Sequence, residues 1–199
     1  MSPTHLHPAD KAEIDAIRRN LNSTVESIRR DRALSDSGRR EKMAIATKAA
    51  RDKADTLKRK VSKERTSRKT ELERRLFGVG SNSSPTDLLV LRDSRDRAAA
   101  LGTEEQATFA MRQAHSAGDE YMAKAIAQVA ILKGWTNLVD DFRQHATAET
   151  AAALDQLAQL PSGRNTDVAD SLMFTIRAPQ ELAGYNDWAI DELAATGAT

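Results

Sequence analysis

The chain has 199 residues, with 30 Lys/Arg against 29 Asp/Glu, no Cys and only 4% aromatics. That length can bury a sizeable core in one or two domains, while the lack of Cys excludes disulfides, Cys-ligated zinc and a thiol nucleophile. No apolar run reaches the roughly 18 residues of a membrane helix, and the opening MSPTHLHPAD lacks a signal-peptide layout, so a soluble chain is expected.

The near-neutral total hides a split. Before Ser81 there are 21 Lys/Arg against 12 Asp/Glu, and from Ser81 onward nine against 17. Halves of opposite sign suggest two parts with different surfaces. Gly78-Val79-Gly80-Ser81-Asn82-Ser83-Ser84-Pro85 supplies breakers between them. The expected organisation is a basic helical part over 1–80, a linker over 81–85 and an acidic helical bundle over 86–199.

In the basic half, Pro8, Asp10 and Glu13 read as a helix start with a capping box. Ile14, Ile17, Leu21, Val25 and Ile28 follow at steps of three and four, a narrow apolar stripe suited to a helical hairpin or coiled coil. The pattern breaks at Leu34–Gly38, where Ser35 can cap the next helix. Arg39 to Phe77 contains neither Pro nor Gly, and 39 residues of helix span about 58 Å. Ile45, Ala46, Ala49, Ala50, Ala54, Leu57 and Val61 give it an apolar side. From Ser62 to Glu71 no residue is apolar, and Leu72, Leu76 and Phe77 close the element. A stretch with no apolar face stays helical through spaced pairs such as Asp55 with Arg59 and Glu71 with Arg75. The expectation is a long projecting helix that docks on a partner. Its basic run from Lys58 to Lys69 suits phosphates or an acidic protein surface. It lacks a leucine-zipper basic arrangement and interleaved aromatics. Arg59, Lys63, Arg68 and Lys69 are the candidate partner-binding residues.

The acidic half reads as short helices. Ser84-Pro85-Thr86-Asp87 opens one that carries Leu88 and Leu91 and ends at Gly102. Thr103 with Gln106 opens the next, which Gly118 ends, and Asp119 caps another that runs to Gly134. Thr136 or Asn137 begins a fourth and Thr147 a fifth, stopped by Pro161. Gly102, Gly118 and Gly134 are evenly spaced, which implies antiparallel hairpins with tight turns. Ala114-x-x-x-Gly118-Asp119-x-x-x-Ala123, with Ile126, Ala130, Gly134 and Phe142, resembles part of a tetratricopeptide-type hairpin. Val168 to Arg177 reads as a helix capped by Thr166, with a short strand as the alternative. Pro179 restarts a last helix carrying Leu182, Tyr185, Trp188, Ile190 and Leu193. Trp135 and Trp188 either pack there, or Tyr185 and Trp188 form an exposed anchor for a partner. The end from Ala194 is expected to fray.

No catalytic constellation is legible. His5-x-His7 near Asp10 is the one metal-like spacing. His115 and His145 lie near helix ends, where the dipole favours them, without an H-E-x-x-H companion. Asp140-Asp141 and Glu104-Glu105 are adjacent, and helical neighbours point about 100° apart, which makes poor acid/base dyads. Gly78-x-Gly80 lacks the rest of a phosphate loop, and no serine sits in G-x-S-x-G. The expectation is a protein that is not an enzyme, with no catalytic, cofactor or metal site.

One block carries a resemblance: Ile28-Arg29-Arg30-Asp31-Arg32-Ala33-Leu34-Ser35-Asp36-Ser37-Gly38-Arg39-Arg40-Glu41-Lys42-Met43-Ala44, continuing to Leu57. It resembles the capped hairpin of small helical proteins encoded among the virion structure and assembly genes of tailed phages of actinobacteria. The resemblance implies an all-α structural or assembly protein, capsid-associated, located in the virion and in the host cytoplasm during assembly. Its implied partners are capsid or connector proteins and further copies of itself. A nucleic-acid-binding accessory protein and a helical-repeat-like adaptor are the alternatives. No membrane and no small-molecule substrate is expected.

Overall fold

The computed structural model describes residues 7–80, 83–161 and 163–197, with the backbone alone of 164 and 165. The regular elements among the described residues are all helices, without a strand. The helices are α1 (Pro8–Arg30), α2 (Asp36–Phe77), α3 (Pro85–Ala99), α4 (Glu104–Ala117), α5 (Glu120–Lys133), α6 (Thr136–His145), α7 (Ala148–Gln159), α8 (Arg164–Phe174) and α9 (Asp187–Thr196). A 3₁₀ turn at Gln180–Leu182 precedes α9. No described helix is long and apolar enough to cross a membrane.

Local chemistry explains most boundaries. Ser84 and Asp87 form the expected capping box, and Thr103, Asp119 and Thr147 cap α4, α5 and α7. Ser35 Oγ accepts from the Gly38 amide at 3.1 Å, starting α2 at Asp36, three residues before Arg39. At Gly118 and Gly134 the backbone turns left-handed, with φ of 68° and 74°. There the Asp119 and Trp135 amides reach back to the Ala114 and Ala130 carbonyls, each at 2.9 Å. A Cβ at either glycine would meet nothing, so the requirement is purely conformational.

Four expected boundaries need correction. His7 caps α1, its Nδ1 accepting from the Ala9 amide at 3.3 Å, while Asp10 is buried in the first turn and faces Lys60 at 3.6 Å. Gly163, rather than Thr166, precedes α8, which is helix and not strand. Pro179 leads only into the 3₁₀ turn; Asn186 caps α9, its Oδ1 accepting from the Ala189 amide at 2.8 Å. Ala194, placed in the fraying end, is buried, and α9 continues to Thr196.

The largest correction concerns domains. The chain forms two compact units, Met1–Arg65 with Pro161–Thr199, and Thr66–Leu160. The boundary near 80–85 is therefore misplaced, and residues 81 and 82 of that linker lie outside the described residues. The first core joins Ile14, Leu21 and Ile28 of α1 and Met43, Leu57 and Val61 of α2 to Phe174, Ile176, Leu182 and Ile190. Charge follows the same contacts. Arg29 meets Glu181 at 2.7 Å, Lys48 meets Asp191 at 3.2 Å, Arg51 meets Asp187 at 3.0 Å and Arg65 meets Asp170 at 2.8 Å. The basic half is thus partly neutralised by the acidic end of the same chain. The second core joins Leu72, Leu76 and Phe77 of α2 to Met111, Ile126, Leu138, Phe142 and Leu154 of α4 to α7. Ala50, Ala54, Leu57 and Val61 of the first apolar stretch of α2 and Leu72, Leu76 and Phe77 of the second are buried, which removes the freely projecting helix, while Ala49 of the expected apolar side is exposed.

Candidate functional site

Within the second unit, Asp141 and His145 stand one turn apart on α6, on the same side of the helix. His115 comes from the last turn of α4, which packs against α6. His115 Nε2 lies 3.4 Å from Asp141 Oδ2, and His145 Nδ1 lies 3.7 Å from Asp141 Oδ1. The two imidazoles stack with centroids 4.0 Å apart and planes 19° apart. One ligand atom from each of the three residues falls within 4.8 Å of the others.

Each side chain is held differently. His145 Nδ1 donates to the Asp141 main-chain oxygen at 2.9 Å, since a carbonyl can only accept. His115 Nε2 is buried and has no hydrogen-bond partner among the described residues; its contact with Asp141 is an ion-pair distance without hydrogen-bond geometry. An unsatisfied buried polar atom costs about 1–3 kcal/mol. Both histidines line a cleft of about 290 Å³, bounded also by Gly118, Asp119, Lys124, Phe142 and Thr147. Two imidazoles and a carboxylate form an N₂O donor set, which suits a borderline divalent cation and leaves coordination positions open.

His115 and His145 stand in the last turns of α4 and α6, as expected of helix-end histidines, and the structure adds a companion in space, Asp141, that no H-E-x-x-H spacing announces. The D-x-x-x-H spacing on α6 was the available signal; His115 belongs to another helix and offers none. Of the His5-x-His7 pair, His5 lies outside the described residues, and His7 is the α1 cap.

The candidate partner-binding residues are in different situations. Among the described residues, exposed Arg59 bonds only Thr56 Oγ1, at 3.3 Å, and exposed Lys63 has no ion pair. Arg68 bonds Glu71 at 3.0 Å and Gln156 at 2.6 Å, and Lys69 faces Glu73 at 3.7 Å. Their neighbours Lys58 and Arg65 bond Ser171 and Asp170 of α8. Trp135 packs against the second core, whereas Tyr185 is 42% and Trp188 70% exposed, as an anchor requires. Of Leu88 and Leu91, the two apolar residues expected to open α3, only Leu91 is buried; Leu88, with its neighbours Leu89 and Val90, is exposed, at 54%, 66% and 41%. Three consecutive aliphatics on a helix cannot share one face, which was the signal for it.

Compared with protein-family models, curated proteins and solved structures, the chain matches none.

Proposed function

We propose that this chain is a non-enzymatic assembly protein of a tailed-phage particle, head-associated, that docks on other virion proteins through exposed helix surfaces. The observation that carries docking is the exposed Leu88-Leu89-Val90 run beside buried Leu91. Consecutive exposed large aliphatics are a liability for a lone chain and are retained where a partner covers them. Trp188, at 70% exposure, offers a second anchor of the kind that dominates interfaces. The phage setting rests on the resemblance over residues 28–57. The nucleic-acid reading loses support because Lys58, Arg65, Arg68 and Lys69 have partners inside the chain.

The test is incorporation of the full chain into purified particles, quantified by mass spectrometry. Leu88→Asp with Leu89→Asp should lower incorporation at least about tenfold, with circular dichroism and thermal unfolding unchanged. Undiminished incorporation, or absence of the wild-type chain from particles, overturns the reading. DNA retention in low salt that is lost in Arg59→Glu with Lys63→Glu would favour the nucleic-acid alternative.

A further inference from the structure

We propose that His115, Asp141 and His145 form a binding site for one divalent transition-metal ion of the zinc type, open toward the cleft between the end of α4 and the end of α6. The inference is independent of the docking reading and uses none of its residues.

The donor set comes first. Zinc takes imidazole nitrogen and carboxylate oxygen at about 2.0–2.2 Å, and sites that keep an exchangeable position use three protein ligands. Ligand atoms around a tetrahedral ion with such bonds stand roughly 3.3–3.6 Å apart. The 3.4 Å between His115 Nε2 and Asp141 Oδ2 already matches this. The wider separations, within 4.8 Å overall, close by rotation of the His145 side chain, which is 51% exposed.

The second, independent observation is the state of His115. Its Nε2 is buried and, among the described residues, unpartnered although it sits beside a carboxylate. Buried polar atoms normally find a partner, and an imidazole nitrogen that has none keeps its lone pair or N–H uncommitted beside two other metal-ligating side chains. The third is access. Both histidines line the cleft, so a bound ion has a route in and room for water or a ligand atom on its open side. A metal there would tie α4 to α6, two helices that meet mainly through α5 and their own packing.

The test uses the full chain, stripped with a chelator and dialysed. Zinc sulfate is titrated in by calorimetry, with cobalt(II) as a spectroscopic probe. The expected result is one ion per chain and a raised melting temperature on zinc addition. Asp141→Asn and His145→Ala should each weaken affinity at least about tenfold, while His5→Ala with His7→Ala leaves it unchanged. Failure of the wild type to bind zinc overturns the proposal, as does loss of binding only in the His5/His7 variant. Should the α6 variants not fold, imidazole resonances of the wild type decide. Zinc-dependent shifts at His115 and His145 support the site, and shifts confined to other histidines refute it.

Discussion

At Ser84 and Asp87, four atoms set where α3 begins. The Ser84 amide and hydroxyl both donate to Asp87 Oδ2, at 2.8 and 2.9 Å, and the Asp87 amide returns a bond to Ser84 Oγ at 3.2 Å. The Ser84 main-chain N–H, followed by its hydroxyl, holds the Asp87 carboxyl below the usual aspartate range. A lowered folded value means that this contribution to stability is fully present above the ordinary aspartate range. It is lost as pH falls through the folded value. In a carbon-detected NMR titration the Asp87 midpoint should lie below that of free aspartate. Ser84→Ala should move it upward without reaching the free value, because the amide donor remains. An unmoved midpoint would show that the hydroxyl contributes nothing. This cap was legible because all its atoms lie within four residues. His115 was not legible as a ligand, since its partners arrive on another helix.

On the scale of elements, α2 carries the chain's most informative pattern. Its stretch without apolar residues, Ser62 to Glu71, contains the boundary between the two units, at Arg65 and Thr66. A helix leaving one core and entering another needs no buried stripe in between, and the gap marked the boundary better than the glycine-serine seam. Arg65 is the half-buried residue of that gap. It grips Asp170 of α8 with two hydrogen bonds, at 2.8 and 3.2 Å, and the side chains are only 16% and 12% exposed. Removing one member of a poorly solvated pair leaves a charge uncompensated. Asp170→Ala should therefore cost about 3 kcal/mol in urea denaturation, and adding Arg65→Ala should cost less than the sum of the single changes. Lys63→Ala, on the exposed side, should stay within about 0.5 kcal/mol. Equal effects at Asp170 and Lys63 would reduce the bidentate pair to a solvated surface contact.

For the whole molecule, the two units change what the charge split means. Counted over each unit, Lys/Arg to Asp/Glu run 19 to 16 and 11 to 13, so the opposite signs largely cancel inside folded bodies. A split at Pro85 would leave the acidic end without the helices that bury Phe174, Leu182 and Ile190, and would strip Leu72, Leu76 and Phe77 from the second core. A fragment of residues 66–160 should unfold cooperatively on heating, because it keeps that core entire. A fragment of residues 84–199 should show no slow amide exchange in 187–196 and a broadened transition. Protected amides there, in the absence of α1 and α2, would restore the division at residue 85.

Helical class, the order of the helices and most of their ends could be read from residues alone, because a cap or a left-handed glycine turn is complete within about six neighbours. Ser84, Thr103, Asp119, Thr147, Gly118 and Gly134 needed nothing more. Which helices share a core could not be read this way. The apolar stripes of α1 and α2 are equally compatible with each other, with a partner or with the distant end of the chain, and only tertiary packing selected Phe174, Ile176, Leu182 and Ile190 to cover them. The same holds for His115, Asp141 and His145. Their convergence depends on how α4 packs against α6, and the free energy of that packing comes from buried apolar area, which carries no direction along the sequence.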